Sequence, residues 1–136
     1  MQTLPVIWQR LVNAEGRTCD RCHATFGEIE RGMAKLRAAL LPLGIEPALE
    51  IREIDPRSFS ADPQQSNRIW IAGRPMEDWL KARVGSSPCC SVCAGSECRT
   101  VAVEDTVFEV IPEALFLQAA LAAAGHLLSQ GQVRPR

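Results

Sequence analysis

The residues of this chain best suited to chemistry are its six cysteines, which fall into two groups. Cys19 and Cys22 form a Cys-x-x-Cys pair, and His23 follows directly. This spacing brings two sulfurs within reach of each other, of one metal ion, or of the two vinyl groups of a haem. The pair is therefore a candidate redox dithiol, half of a metal site, or a haem attachment point.

The second cysteine group lies in a stretch rich in Ser, Gly and Pro and consists of Cys89, Cys90, Cys93 and Cys98. Four thiolates could ligate Zn²⁺ at about 2.3 Å each. Two or three of them could instead hold another thiophilic ion or an iron–sulfur cluster, and a cysteine relay that passes electrons fits as well. The spacing leaves these alternatives open.

Composition limits the expected partners. The chain has 136 residues, of which 46% are hydrophobic and 23% charged, so it is long enough to bury a core without disulfides or metal ions. We expect a single domain at 1–129 and a flexible tail at 130–136. A formal net charge of -1 provides no basic field for nucleic acid or for an anionic membrane. The expected partners are small thiols or proteins that carry thiols or disulfides, while the oligomeric state stays open.

The N-terminal stretch has no basic segment leading into an apolar one, and no apolar run approaches about 18 residues. We therefore expect a cytoplasmic location, where thiols stay reduced. That location disfavours a disulfide scaffold. It also disfavours covalent haem attachment, which normally takes place outside the cytoplasm, and it leaves redox or metal chemistry for the cysteines.

The elements that must position the first cysteine group follow an α/β pattern. The apolar, β-prone run Leu4–Val12 predicts a strand. Leu49 and Ile51 alternate with charged residues and predict a second strand. Between them, apolar residues recur at helical spacing, at Phe26, Ile29, Met33, Leu36 and Leu40. Together these elements predict a parallel, right-handed βαβ unit, with the dithiol between its first strand and its helix.

The second half of the chain predicts antiparallel structure. Ile69–Ile71 indicates a buried third strand, whereas Met76–Leu80 is compatible with a short helix or another strand. Gly, Ser and Pro predict a loop at 85–98 that carries the second cysteine group. Two β-prone stretches predict a hairpin over 99–110. The Ala- and Leu-rich stretch after Pro112 predicts a C-terminal helix.

This order of features resembles the thioredoxin/glutaredoxin superfamily, in which a strand, a Cys-x-x-Cys at the mouth of a long helix and a parallel second strand precede a short strand. The stretches "NRIWIAGRPMEDWL" and "GSSPCCSVCAGSECRTV" are more closely similar to an uncharacterised prokaryotic family of unknown function in that superfamily. The resemblance covers nearly the whole chain. It implies a thioredoxin-like fold with a Cys-rich insertion, and it implies the fold more than an activity.

The chain departs from the superfamily pattern just before the third strand, where a cis-proline usually helps to align the substrate. Ser66 and Asn67 stand at that place, followed by Arg68. Cis bonds before residues other than proline cost about 2.5–4 kcal/mol, so we expect both peptide bonds of this stretch to be trans. We therefore expect substrate docking to differ from that of an ordinary thioredoxin.

Position predicts different roles for the two cysteines of the dithiol. A thiol at a helix N-terminus faces unpaired N–H groups, and Arg17 and Arg21 add positive charge, so we expect Cys19 to be the attacking thiolate. Asp20 opposes this effect. Cys22, about one turn further along the helix, would be the resolving thiol that displaces a mixed disulfide.

Two functions remain open. The first is a thiol–disulfide oxidoreductase that works through Cys19 and Cys22. The second is a protein whose cysteines hold or sense a soft metal ion such as zinc, without turnover. We expect 74–84 to carry the second group back toward the dithiol, so that the sulfur of Cys19 or Cys22 lies within about 10 Å of a sulfur of the second group.

Overall fold

A computed structural model of the protein describes residues 1–12, 16, 20–88 and 97–132. The predicted α/β class is confirmed. In chain order, the elements are β1 (Gln2–Leu11), α1 (Asp20–Leu40), β2 (Ile45–Ile54), α2 (Pro56–Ala61), β3 (Arg68–Ile71), β4 (Arg74–Pro75), α3 (Met76–Leu80), β5 (Arg83–Pro88), β6 (Glu97–Val103), β7 (Thr106–Phe108) and α4 (Glu113–Gln132). Short 3₁₀ turns at Leu41–Leu43 and Pro63–Gln65 complete the described structure.

The strands β1 and β2 and the helix α1 form the predicted parallel βαβ unit. The two strands are paired along their full length. Alternate residues of β1, namely Leu4, Val6 and Trp8, are buried in the same core as the apolar stripe of α1. After α1 the chain turns at Gly44, whose φ of 78° lies in the left-handed region that glycine adopts without steric cost. Cys22 therefore lies in the first turn of α1, the helix that follows β1, whereas Cys19 lies outside the described residues.

The third strand completes the sheet around β1. β3 pairs with β1 in antiparallel orientation and β4 pairs with β3, which gives the strand order β2-β1-β3-β4. The sequence left Met76–Leu80 open between helix and strand, and it forms the helix α3. Trp79 Nε1 donates a hydrogen bond to the Ile71 carbonyl at 2.8 Å, so α3 is held at the end of β3.

The strands β5, β6 and β7 form a second, antiparallel sheet. The predicted hairpin over 99–110 is present as β6 and β7. The loop predicted at 85–98 is wrong at both ends, because 85–88 belong to β5 and 97–98 to β6. The reason is tertiary, since β5 has no alternating apolar pattern of its own but gains a ladder partner in β6 for each of its residues.

The helix α4 packs against α1 at a close crossing. A Cβ added to Gly32 would lie 2.5 Å from the ring of Phe116, so this approach requires glycine. Small residues of α4, Ala119, Ala120 and Ala123, are fully buried at 0% exposure. The crossing brings the start of α4 to the side of the sheet on which α1 lies.

The predicted flexible tail at 130–136 is wrong for its first three residues, because α4 extends to Gln132. No proline stops the helix there, and the side chains of Gln130 and His126, one turn apart, are 3.0 Å from each other. Residues 133–136 lie outside the described part of the chain. Within that described part, no helix is both long and apolar enough to cross a membrane.

Candidate functional site

Cys22 is the member of the predicted dithiol that the structure describes. It is the third residue of α1, and its side chain is completely buried, at 0% exposure. Its Sγ atom lies 3.5 Å from Ser66 Oγ, in the segment that leads into β3. Cys19 and Arg17 lie outside the described residues, and so does the side chain of Arg21. The sequence named Cys22 and Ser66 separately, and the fold brings them into contact.

Asn67, the other residue predicted beside the dithiol, anchors this segment to two elements. Its Oδ1 accepts a hydrogen bond from Trp8 Nε1 at 2.9 Å, and its Nδ2 donates to Thr25 Oγ1 at 3.1 Å. Its φ of 56° lies in the left-handed region, which asparagine tolerates better than most residues. Asn67 therefore joins β1 and α1 through one side chain.

The network continues to the start of α4. Thr25 Oγ1 accepts a second hydrogen bond, from the backbone N–H of Ile111 at 3.2 Å. Thr25 follows Cys22 by three residues on α1, so the two side chains lie on one face of the helix. Because Thr25 is 0% exposed and Asn67 only 5%, water does not compete for these bonds. The buried polar groups beside Cys22 are satisfied within the protein, as burial demands.

The segment before Ser66 is held from both sides. On one side, Gln9 Nε2 donates to the carbonyl oxygen of Gln65 at 2.8 Å. On the other side, Asp62 accepts from the backbone N–H of Gln64 at 3.1 Å and from Gln65 Nε2 at 2.9 Å. The Gln65 side chain, helped by the Gln64 backbone, holds the pKa of Asp62 below its usual value. The turn that delivers Ser66 is thus fixed by hydrogen bonds on both flanks.

The peptide bonds at this place agree with the sequence-based expectation. The Ser66-Asn67 and Asn67-Arg68 bonds are trans. The contact between Ser66 and Cys22 therefore forms without a cis bond.

Three residues of the site were missed by the sequence analysis as site residues: Gln9, Trp8 and Thr25. Trp8 was expected in a strand, and its ring also stacks on Phe26 with centroids 5.1 Å apart. The Trp8–Asn67 bond joins residues 59 positions apart, and no local pattern indicates such a pair. A buried tryptophan does need a partner for its N–H, and that requirement was the available signal.

Most of the second cysteine group lies outside the residues that the structure describes. Cys89, Cys90 and Cys93 fall outside the described residues, and so does the side chain of Cys98. The backbone of Cys98 lies in β6 opposite Ser87. The expected approach of the two cysteine groups to within about 10 Å stays a prediction. Among the residues that the structure describes, no three His, Cys, Asp or Glu side chains are grouped so as to hold a metal ion.

Arg99, next to Cys98, connects the second sheet with the segment that carries Ser66. Its side chain is 5% exposed, forms an ion pair with Glu77 of α3, and donates to the Gln64 carbonyl at 3.0 Å. The Gln64 side chain in turn donates to the Gly85 carbonyl of β5 at 3.1 Å. The strands β5 and β6, which flank the second cysteine group, are therefore both hydrogen-bonded to Gln64, two positions before Ser66.

Comparison with known proteins identifies relatives without an assigned activity. Residues 4–120 match the model of a family described as a domain of unknown function, DUF2703. A protein of Archaeoglobus fulgidus, described as an uncharacterized protein, is 42% identical over 108 residues, which cover 79% of this chain and 78% of that protein. No solved structure matches the chain. Because the family model spans most of its length, the chain belongs to the DUF2703 family.

Proposed function

We propose that this protein is a thioredoxin-like thiol–disulfide oxidoreductase that works through Cys19 and Cys22. The observation that carries the proposal is the buried Cys22 in the first turn of α1, in contact with Ser66 of the segment that enters β3. A parallel βαβ unit followed by an antiparallel strand, in the order β2-β1-β3-β4, is the arrangement that the thioredoxin-like resemblance implies. The burial of Cys22 suits the resolving role, and the position of Cys19 in the sequence, directly before the first residue of α1, suits the attacking role.

The reaction is a pair of thiol–disulfide exchanges. The Cys19 thiolate attacks one sulfur of a substrate disulfide, forms a mixed disulfide, and releases the other substrate sulfur as a thiolate. The Cys22 thiolate then attacks the Cys19 sulfur, forms the Cys19–Cys22 disulfide, and releases the second substrate thiolate. The substrate gains two electrons and two protons, and the dithiol loses both. A small cellular thiol or a dithiol protein reduces Cys19–Cys22 again, consistent with work in the reducing cytoplasm.

Two serine variants test these roles. The parent protein, reduced anaerobically, is mixed with a small aromatic disulfide whose released thiol absorbs light. The thiols released by the second cysteine group are subtracted with a variant in which Cys19 and Cys22 are both replaced by Ser. Above that background, we expect release of two thiols from the parent. Cys22→Ser should release one thiol and keep the other substrate half bound to Cys19. At the dithiol, Cys19→Ser should react at least about 100-fold more slowly, because Cys22, the thiol that remains there, is buried.

The location of the trapped adduct decides the outcome. Trypsin cleaves after Arg21 and Arg31, so 18–21 contains only Cys19 and 22–31 only Cys22. The proposal requires the adduct of Cys22→Ser on 18–21. Stoichiometric adduct on 84–99 instead, with Cys19 unmodified, would contradict the proposal.

One observation favours a second candidate function, binding or sensing of a soft metal ion by the second cysteine group. The pairing of Pro88 with Glu97 and of Ser87 with Cys98 brings the two ends of the Cys-rich stretch together. Cys89 follows Pro88, the last residue of β5, in the sequence, and Cys98 belongs to the neighbouring strand β6. Elemental analysis of anaerobically purified protein should find about one ion per chain under this alternative, lost in a variant with Cys89 and Cys98 both replaced by Ser.

A further inference from the structure

We infer that Ser66 is a positioning residue that donates its hydroxyl hydrogen to the Cys22 thiolate when that sulfur attacks the mixed disulfide. The inference rests on the proposed function for the step that it serves. It assigns to Ser66 the part of the reaction that a buried sulfur cannot perform alone, namely carrying a negative charge away from water.

Burial creates the requirement. Cys22 is 0% exposed and Ser66 is 1% exposed, so water does not solvate the sulfur when the thiol loses its proton. A charge in such surroundings is costly unless hydrogen-bond donors face it. A hydroxyl can donate to a thiolate, and a bond to a charged group is roughly twice as strong as a neutral one. Ser66 therefore stabilises the thiolate form of Cys22 more than the thiol form.

The geometry already fits this role. The distance of 3.5 Å between Cys22 Sγ and Ser66 Oγ is a hydrogen-bond distance for sulfur, and either atom can be the donor while the thiol is protonated. After the thiol loses its proton, the Ser66 hydroxyl is the donor of this pair. The direction of this bond is therefore set by the charge state of Cys22, without a movement of the backbone.

The hydroxyl is also fixed in space. The carbonyl of the residue before Ser66 accepts from Gln9, and the side chain of the residue after it is bonded to Trp8 and Thr25. These bonds attach the segment to β1 and to the same face of α1 that carries Cys22. A donor held in this way stabilises charge without a further cost of reorganisation.

Atoms and electrons balance in the step. Cys22 loses its proton, and its sulfur attacks the Cys19 sulfur while the bond from Cys19 to the substrate sulfur breaks. The departing substrate thiolate takes up the proton that Cys22 released, so the step consumes no proton from elsewhere. Ser66 changes its hydrogen-bond direction but keeps its own proton, so it acts through Cys22 and not as an acid or base.

The test is a direct titration of Cys22 in the reduced, full-length protein. Cysteine labelled with ¹³C at Cβ gives a signal that shifts when the thiol loses its proton, and Cys22→Ala assigns the signal. We expect the titration midpoint of Cys22 to rise by about one pH unit in Ser66→Ala, the effect of one lost hydrogen bond to a charged group. Ser66→Thr keeps the hydroxyl and should restore most of the difference.

Ser129→Ala is the matched control, because Ser129 is an exposed serine of α4 far from β3 in sequence. It should leave the Cys22 midpoint unchanged. An unchanged midpoint in Ser66→Ala would overturn the inference, and so would an equal rise in Ser66→Ala and Ser66→Thr, which would indicate a packing effect. The titration needs no substrate, so its result is separate from that of the turnover experiments that test the oxidoreductase function.

Discussion

The two cysteine-bearing regions of the molecule are held in place by different interactions. Cys22 lies where β1, α1, the segment before β3 and the segment before α4 meet. Neutral buried hydrogen bonds join these four parts, two between side chains and one from the backbone N–H of Ile111 to Thr25. The sheet of β5, β6 and β7 is more exposed, with Val84 at 40% and Val107 at 62% exposure. Its polar contacts with the rest of the protein include those of Arg99 with Glu77 and Gln64 and that of the Gly85 carbonyl with Gln64.

This difference suits different tasks. The resolving role proposed for Cys22 needs surroundings that keep their geometry, and bonds from four segments provide them. The second sheet is joined to the core by the apolar side chain of Val101 and by the polar contacts of Arg99 and Gly85. Gln64 connects the two regions, because its carbonyl accepts from Arg99 and its side chain donates to the Gly85 carbonyl.

The largest effect is expected at Arg99. Arg99→Met would leave the carboxylate of Glu77, itself only 12% exposed, without its cation, and should lower the free energy of unfolding by about 3 kcal/mol. Urea denaturation at pH 7 measures the loss. The double variant with Glu77→Leu should regain part of it, because it removes the unpaired charge.

Arg83→Met on the same sheet is the control, because Arg83 is exposed and should contribute less than about 0.5 kcal/mol. Equal losses in Arg99→Met and Arg83→Met would show that Arg99 does not anchor the sheet. The proposed difference between the two regions in how they are held in place would then be wrong.

An intermediate effect is expected at Asn67. Asn67→Ala removes two buried hydrogen bonds and places alanine, which tolerates the left-handed region less well than asparagine, at a φ of 56°. It should lower the free energy of unfolding by about 2 kcal/mol. Asn67→Gly loses the same bonds but accepts the backbone conformation, and it should cost about 1 kcal/mol less than Asn67→Ala. Urea denaturation of both variants separates the two contributions. If Asn67→Gly is the less stable of the two, the left-handed backbone does not strain this position.

The smallest effect is expected at Asp62, which is fully exposed. Its pKa in the folded protein is lowered, chiefly by the Gln65 side chain. Its carboxylate therefore stabilises the fold above the ordinary aspartate pKa, and this contribution is lost as the pH falls through the lowered value. Asp62→Ala should lower the urea midpoint slightly at pH 7, and the difference from the parent should vanish near pH 2. A difference that stays the same at both pH values would mean that the Asp62 charge does not support the turn before Ser66.

The periodic parts of the sequence predicted the fold around Cys22 well. β1, α1 and β2 bury apolar residues at regular spacing, so their type and order follow from local pattern. β5 escaped prediction because Arg83–Pro88 has no alternating apolar residues and forms a strand through its pairing with β6. The helix α3 could not be distinguished from a strand because Met76–Leu80 spans too few residues to establish a period.

In the candidate site, too, the sequence predicted some residues but not the contacts between them. The Cys-x-x-Cys motif and the segment of Ser66 and Asn67 were predicted, since each has a recognisable sequence pattern or position. Their contact with Thr25 and Trp8 was not, because hydrogen bonds over 42 and 59 positions arise only after the strands and helix have packed. Local sequence carries the elements of the site, whereas the side-chain bonds that fix it depend on the tertiary fold.

The central claim is that Cys19 and Cys22 form a reversible disulfide with each other. The most direct measurement equilibrates the protein anaerobically with mixtures of a reduced and an oxidised dithiol, blocks the remaining thiols with acid-compatible alkylation, and maps the disulfides by mass spectrometry after trypsin. We predict that 18–21 and 22–31 become linked in a two-electron equilibrium and separate again on reduction, with a tenfold change in the equilibrium constant for each change of about 30 mV in potential. Linkage of 22–31 to 84–99 in place of 18–21, or no linkage of 22–31 under any mixture, would contradict the account.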